Sequence, residues 1–173
     1  MSEPEYRIEP WREDDLPLLE QLMGDPSMTE YLGGPESLDK IAERHERYVH
    51  LPETGTGEMF TIVDAATGES VGSVGDWDRD APEGLAYETG WAVLPALQGH
   101  GIATIATAQV IELLRAARER PYLYAFPAVD NAPSNAICRK LGFEVVGVSE
   151  YEYPLDSGNI LRCNDWRLEL FSA

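Results

Sequence analysis

The order of hydrophobic periods along these 173 residues predicts an α/β fold of the α+β kind. Its sheet is expected to be mixed, mostly antiparallel, of six to seven strands flanked by about four helices. Three observations predict it. Two amphipathic helical stretches come first and give way to strand-period segments joined by tight turns. A strand then passes through a glycine-bearing bend straight into a long helix with an apolar stripe. Strand, helix and two closing strands follow. No repeat, linker or low-complexity tract breaks the order, so residues 1–173 are expected to form a single domain, long enough to bury a substantial core.

Arg7 to Trp11 reads as a short opening strand. Arg12-Glu13-Asp14-Asp15 places acid at a helix start, where the dipole favours it, and Leu16, Leu19, Leu22 and Met23 recur at helical spacing until Asp25-Pro26 stops the run. Ser37 caps a second helix with Leu38, Ile41, His45, Tyr48 and Val49 on one side. Leu51-Pro52 to Gly57 reads as a breaker-rich loop. From Met59 the period becomes that of strands. Phe60 to Val63, the turn Ala66-Thr67-Gly68 and Val71 to Val74 form a hairpin, and a polar loop from Asp76 to Gly84 leads to a strand over Leu85–Val93.

The long helix carries Ile102, Ala106, Val110, Leu113 and Ala117, and ends among Arg115, Arg118 and Arg120, the charge its C-terminus prefers. Tyr122 to Phe126 reads as a buried strand. Asn131 caps a shorter helix, with Pro133 in its first turn and Gly142 just past its end. Strands near Glu144–Tyr153 and Asp165–Phe171 close the chain.

Composition narrows the function. At 43% hydrophobic and 25% charged the chain is an ordinary globular sequence, and no apolar run approaches the roughly 20 residues a bilayer demands. The acidic start Met1-Ser2-Glu3-Pro4-Glu5 lacks a secretory layout, so a cytoplasmic location is expected. Cys138 and Cys163 form no CxxC, and His45, His50 and His100 show no ligand spacing, so no metal is expected. A net charge of −18 opposes binding to nucleic acid or anionic membrane, both of which need Lys and Arg. The same charge either attracts a cationic substrate or serves solubility alone.

The informative run is Glu88-Thr-Gly-Trp-Ala-Val-Leu-Pro-Ala-Leu-Gln98-Gly99-His100-Gly101-Ile102-Ala103. A strand that turns through two glycines into a helix presents unpaired backbone N–H groups, reinforced by the helix dipole, with no Cβ to keep an anion away. The bend suits a pyrophosphate. A kinase-type P-loop is excluded, because Ile102 follows Gly101 where Lys is required. A dinucleotide fingerprint wants a third glycine where Thr104 stands. Coenzyme A is the third candidate.

At these residues the chain resembles the GNAT N-acetyltransferase superfamily. That family's pyrophosphate loop has Gln or Arg, two variable residues, Gly, one variable residue, then Gly or Ala; Gln98, Gly101 and Ala103 fill the positions. Glu88-Thr-Gly-Trp before the loop, Pro95, Asn131-Ala-Pro-Ser134, Lys140-Leu-Gly-Phe143, the opening Arg7-Ile-Glu-Pro-Trp-Arg and the closing Asp165-Trp166-Arg-Leu-Glu-Leu extend the likeness over nearly the whole chain. It is closest to the branch of ribosomal-protein N-terminal acetyltransferases and small-amine acetyltransferases. The resemblance implies acetyl-CoA as co-substrate, an amine acceptor (a protein N-terminus or small amine), direct attack in a ternary complex, and a monomer or homodimer. A non-catalytic acyl-CoA-binding module of the same fold is the alternative.

The resemblance also assigns roles. Glu88 becomes the candidate base or substrate-orienting carboxylate; an edge-strand glutamate is the plainer possibility. A backbone N–H near Ala92 or Val93 meets the thioester oxygen, and Trp91 lines the pantetheine slot or is simply core. Gln98, Gly99, His100, Gly101, Ile102, Ala103 and Thr104 form the diphosphate loop, with the His100 side chain either on phosphate or free. Asn131 lies near the pantetheine, and Arg139 or Lys140 near the adenosine 3′-phosphate unless they form a solvated face. Ser134 shares a helix side with Cys138 and is placed to protonate the departing sulfur. Many family members have a tyrosine acid where this chain has Cys138, so Ser134, another tyrosine such as Tyr124, or no acid at all serves the thiolate. Cys138 has no His–Asp partner that would make it a nucleophile. Asp76 and Asp78 are alternative anchors for a cationic substrate.

Overall fold

A computed structural model describes residues 2–172. The strands are β1 (Tyr6–Pro10), β2 (Gly57–Asp64), β3 (Ser70–Ala81), β4 (Gly84–Val93), β5 (Tyr122–Ala125), β6 (Glu144–Glu152) and β7 (Ile160–Glu169); the helices are α1 (Leu16–Gly24), α2 (Leu38–Thr54), α3 (Ile102–Ala117) and α4 (Ala132–Lys140). One seven-stranded sheet runs in the order β1-β2-β3-β4-β5-β7-β6, and every neighbouring pair is antiparallel except β4 and β5. The parallel pair is the one joined through α3, since two parallel strands need a crossover between them.

The helices divide between the two faces. Under α3 and α4 lies a core of Phe60, Ile62, Val74, Val110, Leu123 and Cys138. Trp11, Leu19, Leu22, Ile41 and Met59 form a second core beneath α1 and α2. In that second core His45 is buried, and its Nδ1 accepts from the Trp11 indole at 3.1 Å, which makes it a hydrogen-bonded part of the core.

Three boundaries differ from the sequence expectation. The segment from Leu51 is not a loop: α2 continues through Pro52 to Thr54 and ends on Gly55 in the left-handed conformation. The segment Asp76–Gly84 is mostly strand, because β3 runs to Ala81 in unbroken register with β4. Its alternating charges sit on a pleated ribbon. The last strand begins at Ile160, ahead of the expected Asp165.

Candidate active site

The two parallel strands at the centre of the sheet separate. β4 and β5 pair only at Tyr87–Leu123 and Glu88–Tyr124, while β4 continues to Val93 bonded to β3 alone. The Leu94 N–H donates to the Val71 carbonyl at 2.9 Å. Antiparallel alternation then turns the Ala92 N–H toward β3 and those of Trp91 and Val93 into the widening gap. The Val93 carbonyl faces the same way and accepts from Gln98 Nε2 at 3.0 Å. The Gln98 amide thus ties the loop to the strand end.

Beyond Val93, one 3₁₀ turn over Pro95–Leu97 leads into the bend. Gly99 and Gly101 have φ of 82° and 78°, and a Cβ built on either would meet no atom of the chain within 4 Å. The glycines therefore answer a left-handed backbone and open space in front of it, not internal crowding. Helix α3 starts with no side-chain cap, and its first bond runs from the Ile105 N–H to the Gly101 carbonyl at 3.0 Å. The N–H groups of Ile102, Ala103 and Thr104 are orphan first-turn donors. Ile102 and Ala103 bury their side chains while Gln98, Gly99, His100 and Gly101 are exposed. A diphosphate fits here: bare backbone donors, a helix N-terminus, and no Cβ in the approach.

A cavity of about 520 Å³ opens where the strands part. Glu88, Trp91, Ala92 and Ser134 line it together with residues of α1, α2, β6 and β7. Trp91 also packs against the α3-side core, so it is both wall and core. Glu88 is burdened by burial, which raises its carboxyl above the usual range; Arg79 works against that rise, with Nη1 3.4 Å from Glu88 Oε2. Arg79 projects from β3, on the stretch expected to be loop, which is why the sequence did not bring it to the site. Read as a strand, Trp77 and Arg79 share one face by the period of two, and both line the cavity. Phe126, Tyr151, Tyr153 and Arg44 also line it, brought there only by tertiary folding.

Ser134 sits on the first turn of α4 with its N–H donating to the Asn131 side chain at 3.2 Å. Among the described residues its hydroxyl has no hydrogen-bond partner, so it faces the cavity uncommitted. Asn131 is the N-cap and does not line the cavity. Arg139 is exposed with its guanidinium 5.6 Å over the Trp166 ring, and Lys140 is exposed beside it. Cys138 has no exposed surface, and burial pushes its thiol up to about 12, which removes it as a nucleophile near neutral pH. Tyr124 does not reach in: its hydroxyl donates to Glu83 at 2.7 Å, outside the cavity. Asp76 and Asp78 alternate onto the opposite sheet face, where Asp78 pairs with Arg120, so neither anchors a substrate in this cavity.

A family model described as an acetyltransferase (GNAT) domain matches residues 6–144. The chain belongs to the GNAT acetyltransferase family. Solved structures share the fold at low identity. A ribosomal L7/L12 alpha-N-protein acetyltransferase in complex with coenzyme A is 18% identical over 94% of this chain and 92% of its own, with a TM-score of 0.76. Ribosomal-protein-S5-alanine acetyltransferase from Vibrio fischeri is 18% identical over 98% and 95%, at 0.77. Spermidine N-acetyltransferase from Vibrio cholerae, in complex with coenzyme A and spermine, is 16% identical over 96% and 96%, at 0.77. Within this GNAT domain, the matched span takes in the parted strands, the glycine bend and all of α4.

Proposed function

We propose that this GNAT protein moves an acetyl group from acetyl-CoA to a primary amine by direct attack in a ternary complex. The observation that carries it is the parting of β4 from β5 after Glu88, which joins the glycine bend to a cavity holding a desolvated carboxylate. Acetyl-CoA supplies the activated thioester carbonyl. The bend offers its diphosphate the N–H groups of the first turn of α3, and the gap receives the pantetheine arm. The N–H groups of Trp91 and Val93 are the donors available to a carbonyl oxygen in the gap, with Val93 favoured over Ala92 by the ladder alternation. Glu88, made more basic by burial, accepts a proton from the ammonium directly or through a water. Ser134 hands a proton to the leaving sulfur and takes its replacement from the second proton that the amine nitrogen gives up.

Titration calorimetry with acetyl-CoA, followed by thiol release across a panel of amines, tests the assignment. Micromolar binding and amine-dependent thiol release are expected. Binding without turnover of any amine would leave a coenzyme-binding module, and absence of binding at high micromolar coenzyme would refute both.

A further inference from the structure

The cavity that Glu88 faces contains two arginines, and they are not equivalent. Arg44 is used up: its guanidinium bonds both oxygens of Glu36, the Tyr153 hydroxyl and, at 3.5 Å, the Tyr48 hydroxyl. Arg79 is not. Nη1 contacts Glu88 and Nη2 donates to the Tyr151 hydroxyl at 3.0 Å, two of the five donors a guanidinium carries. Its plane is set by Phe126, whose ring centroid lies 4.3 Å away. The contact with Glu88 is 3.4 Å, well beyond the roughly 2.7–2.9 Å of a tight charge-assisted bond. Both partners of this loose pair therefore keep free valence toward the same space.

We propose that the acceptor is an α-amino acid with an apolar side chain, its carboxylate held by Arg79 while its amine meets Glu88. This deepens, and rests on, the acetyltransferase reading. In an α-amino acid the ammonium and carboxylate lie about a hydrogen-bond length apart, roughly 3 Å, which matches the span between Arg79 and Glu88. The four charges then alternate around a ring. The charged groups that line the cavity are Arg44 and Arg79 against Glu88 and Glu152, so it lacks the excess of acid that would draw in a polycationic amine, and Arg79 repels a cation brought beside it. The overall charge of −18 does not describe this site. Leu19, Met23, Leu32, Met59 and Trp77 supply the apolar wall for the side chain. In the transfer, the amine nitrogen bonds to the acetyl carbon and the carbon–sulfur bond breaks. One ammonium proton passes to Glu88 and on to solvent, and a second reaches the thiolate, giving the N-acetyl amino acid and coenzyme A thiol. An acceptor carboxylate that draws Arg79 away also frees Glu88, so binding and base strength are linked.

The test measures thiol release with saturating acetyl-CoA for three matched trios: leucine, methionine and phenylalanine, each against its carboxamide and its decarboxylated amine. At least one acid should exceed its amide in kcat/KM by tenfold or more. The comparison is severe, because amides have the lower amine pKa and more free base. Arg79→Gln should erase the preference, whereas Arg79→Lys should keep part of it; the loss of charge beside Glu88 should also move the acidic limb of the pH profile upward, but an arginine that only tunes Glu88 would move that limb and leave the ratio unchanged. The proposal is overturned if amides or decarboxylated amines equal or exceed the acids in every trio, or if only spermidine or peptide N-termini are acetylated. Should no amine release thiol and no coenzyme bind, it is the acetyltransferase reading itself that fails.

Discussion

Glu88 feels opposed influences, a burial that raises its pKa against the Arg79 guanidinium and a hydrogen bond from the Trp77 side chain, both of which lower it. Burial is the larger, so the carboxylate is a stronger base than a free glutamate, whose pKa is about 4.3. Activity should therefore fall on the acid side of a pH–kcat/KM profile at a pH above the ordinary glutamate range. Glu88→Gln should lower turnover at least about tenfold and flatten that limb; unchanged turnover and an unchanged profile would remove Glu88 from the mechanism. Two competitors of Ser134 are removed: Tyr124 is held by Glu83, and Cys138 is sealed in the core. Ser134→Ala should cost about tenfold in kcat, the low side of acid–base effects because the thiolate leaves readily, with coenzyme affinity measured by calorimetry unaltered. Equal kcat in the variant would mean that sulfur departs unaided. The family resemblance pointed to both residues, and both line the cavity. It did not point to Arg79, since its role depends on which face of β3 it occupies.

The elements explain why some positions were readable and others were not. The Gly99–Gly101 bend announces itself by residue type, because only a left-handed backbone with open space in front needs glycine twice in three positions. By contrast, β3 hid behind Asp76-Trp77-Asp78-Arg79-Asp80, a charged run that resembles a loop until pairing with β4 gives each side chain a face. Pro52 likewise looked like a breaker, but α2 tolerates it near its last turn. Neither the parting of β4 and β5 nor the convergence of α2 with β6 at the cavity has a local signature. The bend itself makes a prediction. Gly101→Ala meets no steric obstacle within the protein, so its stability cost is the left-handed backbone alone, about 1–2 kcal/mol. Acetyl-CoA affinity should fall at least tenfold, since the methyl occupies the approach to the first-turn donors. A variant as stable and as tightly binding as the parent would show that the bend is not the coenzyme's seat.

At the scale of the molecule, the sheet keeps two kinds of acid on opposite faces. Glu88 looks toward the cavity, while Asp76 is buried on the α3 side opposite Glu58 and close to Asp78 and Arg120. Burial first and the Glu58 charge second raise Asp76 to about 7, and Arg120 only partly offsets them. Between about pH 4 and pH 7 the folded protein thus holds a proton that the unfolded chain has released, and stability must fall as pH rises across that window. At about 1.4 kcal/mol per pH unit, the fall attributable to this one group reaches as much as about 4 kcal/mol. Asp76→Asn keeps the neutral shape and removes the titration. Because the many surface carboxylates titrate alike in both proteins, the difference between variant and parent isolates Asp76. Urea unfolding should find the two nearly equal at pH 4, and the variant more stable by a margin that grows to pH 7 and then levels. Parallel stability profiles for the two proteins would show that Asp76 is charged in the fold at neutral pH, and that Arg120 rather than a proton compensates it.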